Sequence, residues 1–344
     1  MEVRYAINDN VLIRNLNKHY GIKVESIAFI PMGDSAYSYY VNCNNGDRYY
    51  LKLFDHGNDR QRRSIERLTY YLPLTLQLYH QKLFQNITFP IKNQIGDLKT
   101  TLNEITLVMF NFIEGETLAE AYPFSEELLE EIAQSMAIIH RITHYINSSQ
   151  ILTETFDISF EKDLEKCISV LEGIITSDNN IIKTLREQVL LKKERIFFLL
   201  NYVRKLRELI IKDKKDMVLC HGDLWGGNII RNSNGLYFID WESALVAPPE
   251  FDLVGYIDKE FDVFFSSYKK YYGQDVTINF DLLRFYSYRH HLRNLTNWIM
   301  NILYRNTLEE QNENDLEMIV YHCMNRWDRI EPNVRTVEAI IKNH

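Results

Sequence analysis

The sequence predicts an α+β chain, with strands concentrated before about residue 110 and helices after it. Three observations predict this. The runs 36–42 and 48–54 are rich in Tyr and flank Asn44-Asn45-Gly46-Asp47, where an Asn-Gly pair supplies the positive φ angles of a tight hairpin turn. The run 102–113 is again apolar and strand-like, and Glu114-Gly115-Glu116 ends it. Beyond it the period changes: Ser125 offers a helix N-cap, Glu126 and Glu127 fill the first turn, and Leu128, Leu129, Ile132, Ala133 and Met136 form one apolar stripe.

On the strand 48–54, Tyr50, Lys52 and Phe54 share one face and Tyr49, Leu51 and Leu53 the other. Lys52 is a lone cation in an apolar strand, which costs free energy unless an anion meets it. Residues 58–72 read as a helix. A long amphipathic helix is expected over 181–211, ending in the charge run 212–216, a solvated helix end. There is no internal repeat and no Gly-Ser linker, so the change near residue 110 marks the domain boundary.

A chain of 344 residues has room for roughly two domains. Hydrophobic residues make up 46% and charged residues 25%, with only 13 Gly and 7 Pro, which excludes collagen-like and low-complexity disordered classes. The net charge of −8 is opposite to that of a protein that binds a phosphate backbone, so no nucleic-acid polymer is expected as a partner. Cys43, Cys167, Cys220 and Cys323 are too scattered for a metal knuckle or a disulfide framework. The first ten residues carry Glu2, Arg4 and Asp9 and no apolar stretch, so no signal peptide is expected. No run approaches ~18 uncharged apolar residues, so no membrane span is expected either. The expectation is a reduced, cytoplasmic protein whose oligomeric state the sequence leaves open.

The stretch Cys220-His221-Gly222-Asp223-Leu224-Trp225-Gly226-Gly227-Asn228-Ile229-Ile230 carries the chemistry, followed by Leu236-Tyr237-Phe238-Ile239-Asp240-Trp241-Glu242. Asn234-Gly235 between them predicts a two-residue hairpin turn. Counting outward pairs Ser233 with Leu236, Arg231 with Phe238 and Ile229 with Asp240, so that Asn228 and Asp240 arrive side by side. A carboxamide and a carboxylate that close can share a hard cation such as Mg²⁺. Asp223, on a loop kept compact by Gly222, Gly226 and Gly227, can face the same ion-bound phosphate from the acceptor side, the arrangement that phosphoryl transfer requires.

His221-x-Asp223-x-x-x-x-Asn228 with Asp240 twelve residues on resembles the signature of the aminoglycoside phosphotransferase and choline kinase superfamily. The continuation through Ala247-Pro248-Pro249-Glu250-x-Asp252-Leu253 is similar to the spectinomycin phosphotransferase branch. The resemblance implies a bilobal, protein-kinase-like fold: an ATP-clamping sheet lobe (1–109), a hinge (110–115) and a helical lobe for catalysis and acceptor binding (116–344). It implies ATP and Mg²⁺ as the nucleotide and the metal, and a small molecule with a hydroxyl group as the acceptor. Asp223 would be the catalytic base, and Asn228 and Asp240 metal ligands. Glu242 would either reach a second metal or brace the loop, and His221 would be a structural residue behind it. Lys52 would hold the inner phosphates, with Glu66 as its helix partner, the one glutamate between Lys52 and Glu104. Met32-Gly33-Asp34-Ser35-Ala36-Tyr37 would cover the phosphates. Backbone groups of Phe110 and Phe112 would pair with adenine, and Met109 would limit the pocket's depth.

Other signals carry less. His140 and His144 stand four apart but lack an HExxH context, which favours packing. Arg289, His290, His291 and Arg293 form either an anion patch or a helix face, and 289–298 is where acceptor contacts are first sought. Asp252 would steady the catalytic loop. The other acids, Glu250, Asp258, Glu260 and Asp262, are solvated surface or line a cleft for a cationic acceptor. The reading is an ATP- and Mg²⁺-dependent kinase for a small polar alcohol, first an aminocyclitol or aminoglycoside antibiotic, then choline, homoserine or a sugar. A protein hydroxyl is a further acceptor, and a nucleotide-binding pseudokinase scaffold is the rival class.

Overall fold

A computed structural model describes residues 4–343 apart from positions 32, 34, 176, 177, 214 and 259, so Met32 and Asp34 of the expected phosphate-covering loop lie outside the described residues. The chain divides into two compact units, Met1–Thr153 with Val218–Val246, and Glu154–Met217 with Ala247–His344.

In the first unit, α1 (Asp9–Tyr20) starts where the Asn8 side chain accepts from the Asn10 N–H and stops at Gly21, at φ 69°. A five-stranded antiparallel sheet follows, built of β1 (Val24–Ile30), β2 (Tyr37–Cys43), β3 (Arg48–Asp55), β4 (Thr100–Leu102) and β5 (Ile105–Asn111), in the order β1-β2-β3-β5-β4. Strand alternation divides its side chains as the sequence suggests. Leu51 and Leu53 join Leu12, Leu16, Val41, Leu107 and Met109 in a core against α1, at about 1.5–3 kcal/mol per buried side chain. Gly46 supplies a positive φ of 87° in the β2–β3 turn. The single strand expected over 102–113 is instead the β4–β5 hairpin, in which Leu102 pairs with Ile105 and Asn103 turns the chain at φ 49°. Asn tolerates that conformation, so no glycine announces the turn.

The opposite face of β3 looks toward α2 (Asp59–His80), which runs eight residues beyond the expected 58–72 and passes through Pro73. Leu68, Tyr71 and Leu72 before the proline and Leu74, Thr75 and Leu78 after it are all buried. That burial outweighs the ~3 kcal/mol that an interior proline costs. After β6 (Glu116–Thr117), α3 (Glu126–Arg141) begins as expected: Ser125 Oγ accepts from the Leu128 N–H at 3.3 Å and the predicted stripe is buried. His140 is buried while His144, in the following turn, is exposed, so the two do not share a face.

The same unit takes up β7 (Val218–Cys220), β8 (Ile229–Asn232) and β9 (Gly235–Phe238), the last two forming a sheet with β6. The β8–β9 register corrects the sequence-based one. Asn232 faces Gly235, Arg231 faces Leu236 and Ile229 faces Phe238, so the turn is Ser233-Asn234 rather than Asn234-Gly235. Asn232 decides this: its Oδ1 accepts from the Asn234 N–H at 2.8 Å, an Asx turn that closes the loop one residue early. Asn228 therefore stands beside Ile239, whose N–H donates to the Asn228 carbonyl at 2.9 Å, and Asp240 lies one residue further on.

The second unit is helical: α4 (Phe160–Gly173), α5 (Asn180–Leu191), α6 (Lys193–Ile210), α7 (Glu250–Leu253), α8 (Phe261–Tyr272), α9 (Phe280–Met300), α10 (Glu309–Glu317) and α11 (Trp327–Asn343). The helix expected over 181–211 is two helices, broken at Lys192 (φ −100°, ψ 6°) with no glycine or proline to mark the break. Arg289 of α9 is no part of an exposed anion patch. Its guanidinium forks onto the Glu154 carboxylate at 2.6 and 3.1 Å and lies over the Phe285 and Tyr286 rings. All four cysteines are buried and none is in a disulfide, and among the described residues no helix is long and apolar enough to cross a membrane.

Glu250 is 3% exposed and accepts from the N–H of Asn279, the N-cap of α9, at 2.7 Å. Burial pushes its carboxyl up from 4.5 to about 7. Between these values the unfolded chain has released a proton that the folded chain keeps, so stability falls as pH rises through the window, by roughly 3 kcal/mol. Glu250→Gln is expected to flatten that part of the stability profile and to raise stability at pH 7 and above. Urea denaturation from pH 4.5 to 8 checks it.

Candidate functional site

A cavity of about 300 Å³ lies within the first unit, bounded by Lys52, Phe110, Phe112, Asn228, Ile239 and Asp240. That is the lower end of the range for small-molecule sites. Lys52 is 7% exposed, and its Nζ stands 2.8 Å from Asp240 Oδ1. Burial opposes its charge, but Asp240, with Tyr71 and Glu242 nearby, more than offsets this and holds the ammonium above its usual range. Burial likewise pushes the Asp240 carboxyl up, and the Lys52 ammonium overcomes that and holds it below the usual carboxylate range. Both groups are charged at neutral pH. The cation that β3 places on an apolar face is thereby met by an anion 188 residues away.

Asp240 sits at φ 60°, ψ 60°, a left-handed conformation that costs roughly 1–2 kcal/mol for a residue with a Cβ. The next residue helps hold it there. Trp241 is buried, donates through Nε1 to the Phe238 carbonyl at 3.1 Å and lies 4.7 Å from the His221 ring. His221 bonds the Ile239 carbonyl through Nε2 at 2.9 Å, and its Nδ1 accepts from the Asp223 N–H at 3.4 Å. These partners assign the proton to Nε2. His221 thus ties the Asp223 loop to the Asp240 strand. Gly222, at φ 85°, completes the turn: a Cβ there would lie 2.2 Å from the Ser243 carbonyl oxygen.

Asn228 Nδ2 donates to the Asp223 backbone carbonyl at 2.8 Å and to Asp223 Oδ2 at 2.9 Å. Its donor end fixes an exposed carboxylate, and its acceptor end, Oδ1, remains for another ligand. Glu242 Oε1 accepts from Ser64 Oγ at 2.5 Å. Glu242 Oε2 is buried with no hydrogen-bond partner among the described residues. Oxygen donors from Asn228, Asp240 and Glu242, one of them orphaned, fit a hard divalent cation.

The other expected site residues divide. Gly33, at φ 82°, and Ser35 line the cavity. Glu66 is exposed and does not meet Lys52. The inward face of α2 runs through Ser64, Leu68, Tyr71 and Thr75, and Glu66 stands two residues off that stripe. Met109 belongs to the core on the far face of β5, while Phe110 lines the cavity, as alternation along a strand requires. The Ile91 N–H donates to the Met109 carbonyl and the Asn111 N–H to the Phe89 carbonyl. By antiparallel geometry Phe110's own amide and carbonyl then turn toward Tyr50 of β3, so they are not open to a nucleobase. Phe112 lies past the paired part of the strand, its ring edge-on to Tyr40 at 5.7 Å and under Arg48 at 4.2 Å. Sequence reasoning missed Ser64 and Tyr71, although their spacing on the inward stripe of α2 was a signal that could have found them.

The model of the phosphotransferase enzyme family matches residues 26–286. The chain belongs to this family. No curated protein sequence matches it. Among solved structures this family member is similar to spectinomycin phosphotransferase APH(9)-Ia in complex with ADP and spectinomycin, at 19% identity over 92% of this chain and 94% of that one, with a TM-score of 0.74. It is also similar to amicoumacin kinase hAmiN in complex with AMP-PNP, Ca²⁺ and Ami, at 16% identity over 91% and 93%, with a TM-score of 0.59. A third likeness is to choline kinase LicA from Streptococcus pneumoniae, at 17% identity over 95% and 98%, with a TM-score of 0.56. These likenesses show the fold: the protein-kinase-like α+β fold, with a small antiparallel sheet and a larger, mainly helical remainder.

Proposed function

We propose that this family member is an ATP- and Mg²⁺-dependent kinase that phosphorylates a hydroxyl group on a small polar molecule. One observation carries the reading. Asn228 links the Asp223 carboxylate to the wall of a cavity in which the buried Lys52 ammonium pairs with the half-buried Asp240 carboxylate. Asp223, exposed and held by the Asn228 amide, orients the acceptor hydroxyl and accepts its proton as the oxygen attacks the terminal phosphorus of ATP and the bond to the bridging oxygen breaks, with ADP leaving. Lys52 supplies the fixed positive charge for the inner phosphates. Asn228, Asp240 and Glu242 would hold the magnesium, which when bound neutralises charge on the phosphates. Ile239 and Phe110, which line the cavity, would flank the base, and residues 110–115 would act as the hinge between the lobes 1–109 and 116–344. A cytoplasmic location, where cysteines stay reduced, is part of this reading; the four cysteines are buried.

For the acceptor, the likeness to a spectinomycin complex and the Ala247-Pro248-Pro249-Glu250-x-Asp252-Leu253 continuation favour an aminocyclitol or aminoglycoside antibiotic. The likeness to a choline kinase keeps a metabolic amino alcohol as the second reading. A coupled ADP-release assay across aminocyclitols, aminoglycosides, choline and amino alcohols tests both. Acceptor-dependent ADP release is expected with one class. None with any acceptor, despite binding of Mg-ATP, would favour a non-catalytic scaffold.

A further inference from the structure

We infer that Ser64 is the positioning residue through which α2 sets the metal loop: its hydroxyl fixes one oxygen of Glu242, so that the other is presented to the divalent cation. The inference rests on the kinase reading above and deepens it, since it names an α2 residue that acts on the metal loop, a different task from the pairing with Lys52 expected of Glu66.

Ser64 is 5% exposed and lies on the inward stripe of α2, with Tyr71 seven residues on. Its Oγ stands 2.5 Å from Glu242 Oε1, 178 residues away in the chain. A hydroxyl has one proton to donate, so it engages one carboxylate oxygen and leaves the second. That second oxygen, Oε2, is buried without a hydrogen-bond partner among the described residues, a costly state for half of a carboxylate unless a ligand completes it. Arg67, one turn from Ser64, adds a second tie from the helix by donating to the Glu242 carbonyl at 3.4 Å. The charge balance agrees: Lys52 Nζ stands 2.8 Å from Asp240 Oδ1, and Glu242 lies two residues further along the same loop. One monovalent cation thus faces two carboxylates, a net negative charge that a divalent ion corrects. Glu66, some 200° around the helix from Ser64, is exposed and takes no part.

The full chain with Ser64→Ala, Ser64→Thr and Glu66→Ala tests this through metal binding rather than turnover. Mn²⁺ affinity in the presence of ADP is read from the electron paramagnetic resonance signal of free Mn²⁺. ADP affinity without metal and the melting temperature are read alongside. Ser64→Ala is expected to weaken Mn²⁺ binding at least about tenfold, the effect of losing a partner that orients a metal ligand. Its metal-free ADP affinity stays unchanged, Ser64→Thr restores Mn²⁺ binding, and Glu66→Ala matches the parent. If the alanine variant does not fold, Ser64→Cys, near in shape but a poor donor, is expected to show the same loss. Unchanged Mn²⁺ affinity in the alanine or cysteine variant, threonine failing to restore it, or an equal loss in Glu66→Ala would overturn the inference alone. A parent protein that binds no Mn-ADP at all overturns the kinase reading with it.

Discussion

Asp223→Ala is expected to lower single-turnover phosphoryl transfer by about 10³-fold, within the range for loss of a general base, while ADP affinity stays near that of the parent. The separation follows from where the carboxylate sits. Asp223 is exposed and is not part of the cavity wall, whereas Lys52, Asn228 and Asp240 are. Its loop is held by contacts that do not use the carboxylate: His221 to the Ile239 carbonyl, the Asp223 N–H to His221, and Asn228 Nδ2 to the Asp223 backbone carbonyl. Alanine therefore removes the proton acceptor and leaves the loop tied. Rapid-quench measurement of product in one turnover, with calorimetry of ADP binding, reads both effects. A rate within tenfold of the parent would remove the base assignment.

Asp240→Ala is expected to do the opposite: nucleotide binding loses its metal dependence and the fold weakens. Asp240 is the partner of Lys52, which is 7% exposed, and alanine leaves that ammonium buried beside Tyr71 and Glu242 alone. Breaking a fully buried pair costs about 3–5 kcal/mol; because the Asp240 side chain is 35% exposed, solvent screening lowers the expectation to roughly 1–3 kcal/mol. The sign with pH is fixed by the shifts. The Asp240 carboxyl is depressed in the fold, so its contribution is present above its unfolded value of 3.8 and is lost as pH falls through the folded one. The Lys52 ammonium is raised, so its contribution is present below 10.5 and fades only as pH rises through a higher value. The stability gap between parent and variant is therefore expected to be flat from about pH 5 to 9 and to close in acid. Denaturation at pH 7 and pH 3 checks it; a gap that persists undiminished in acid contradicts the ion-pair account.

How much of this was legible in the sequence depends on how local each signal is. The hairpin β2–β3, the N-cap at Ser125 and the stripe of α3 follow from turn chemistry and helical period, which act over a few residues. The cluster from His221 to Glu242 was legible because Gly222, Asp223, Asn228 and Asp240 are close in sequence and serve one hairpin. Where a side chain overrode the general rule, the reading slipped. Asn232 closed its turn early and shifted the β8–β9 register, and Asn103 made a turn where no glycine stands. The partner of Lys52 was not legible. Choosing Glu66 by elimination assumed that the helix presents a glutamate, but the phase of α2 is set by packing of Leu68, Tyr71, Leu72 and Thr75, which turns Ser64 inward and Glu66 out. Strand phase misled in the same way at Met109 and Phe110, whose two faces are told apart only when the core against α1 is known.

The most direct measurement is the anomalous difference map of crystals grown with ADP and Mn²⁺. ADP is expected in the cavity beside Lys52, with a manganese peak bonded at about 2 Å to oxygens of both Asn228 and Asp240. Nucleotide bound elsewhere, or manganese bound to neither side chain, would contradict it.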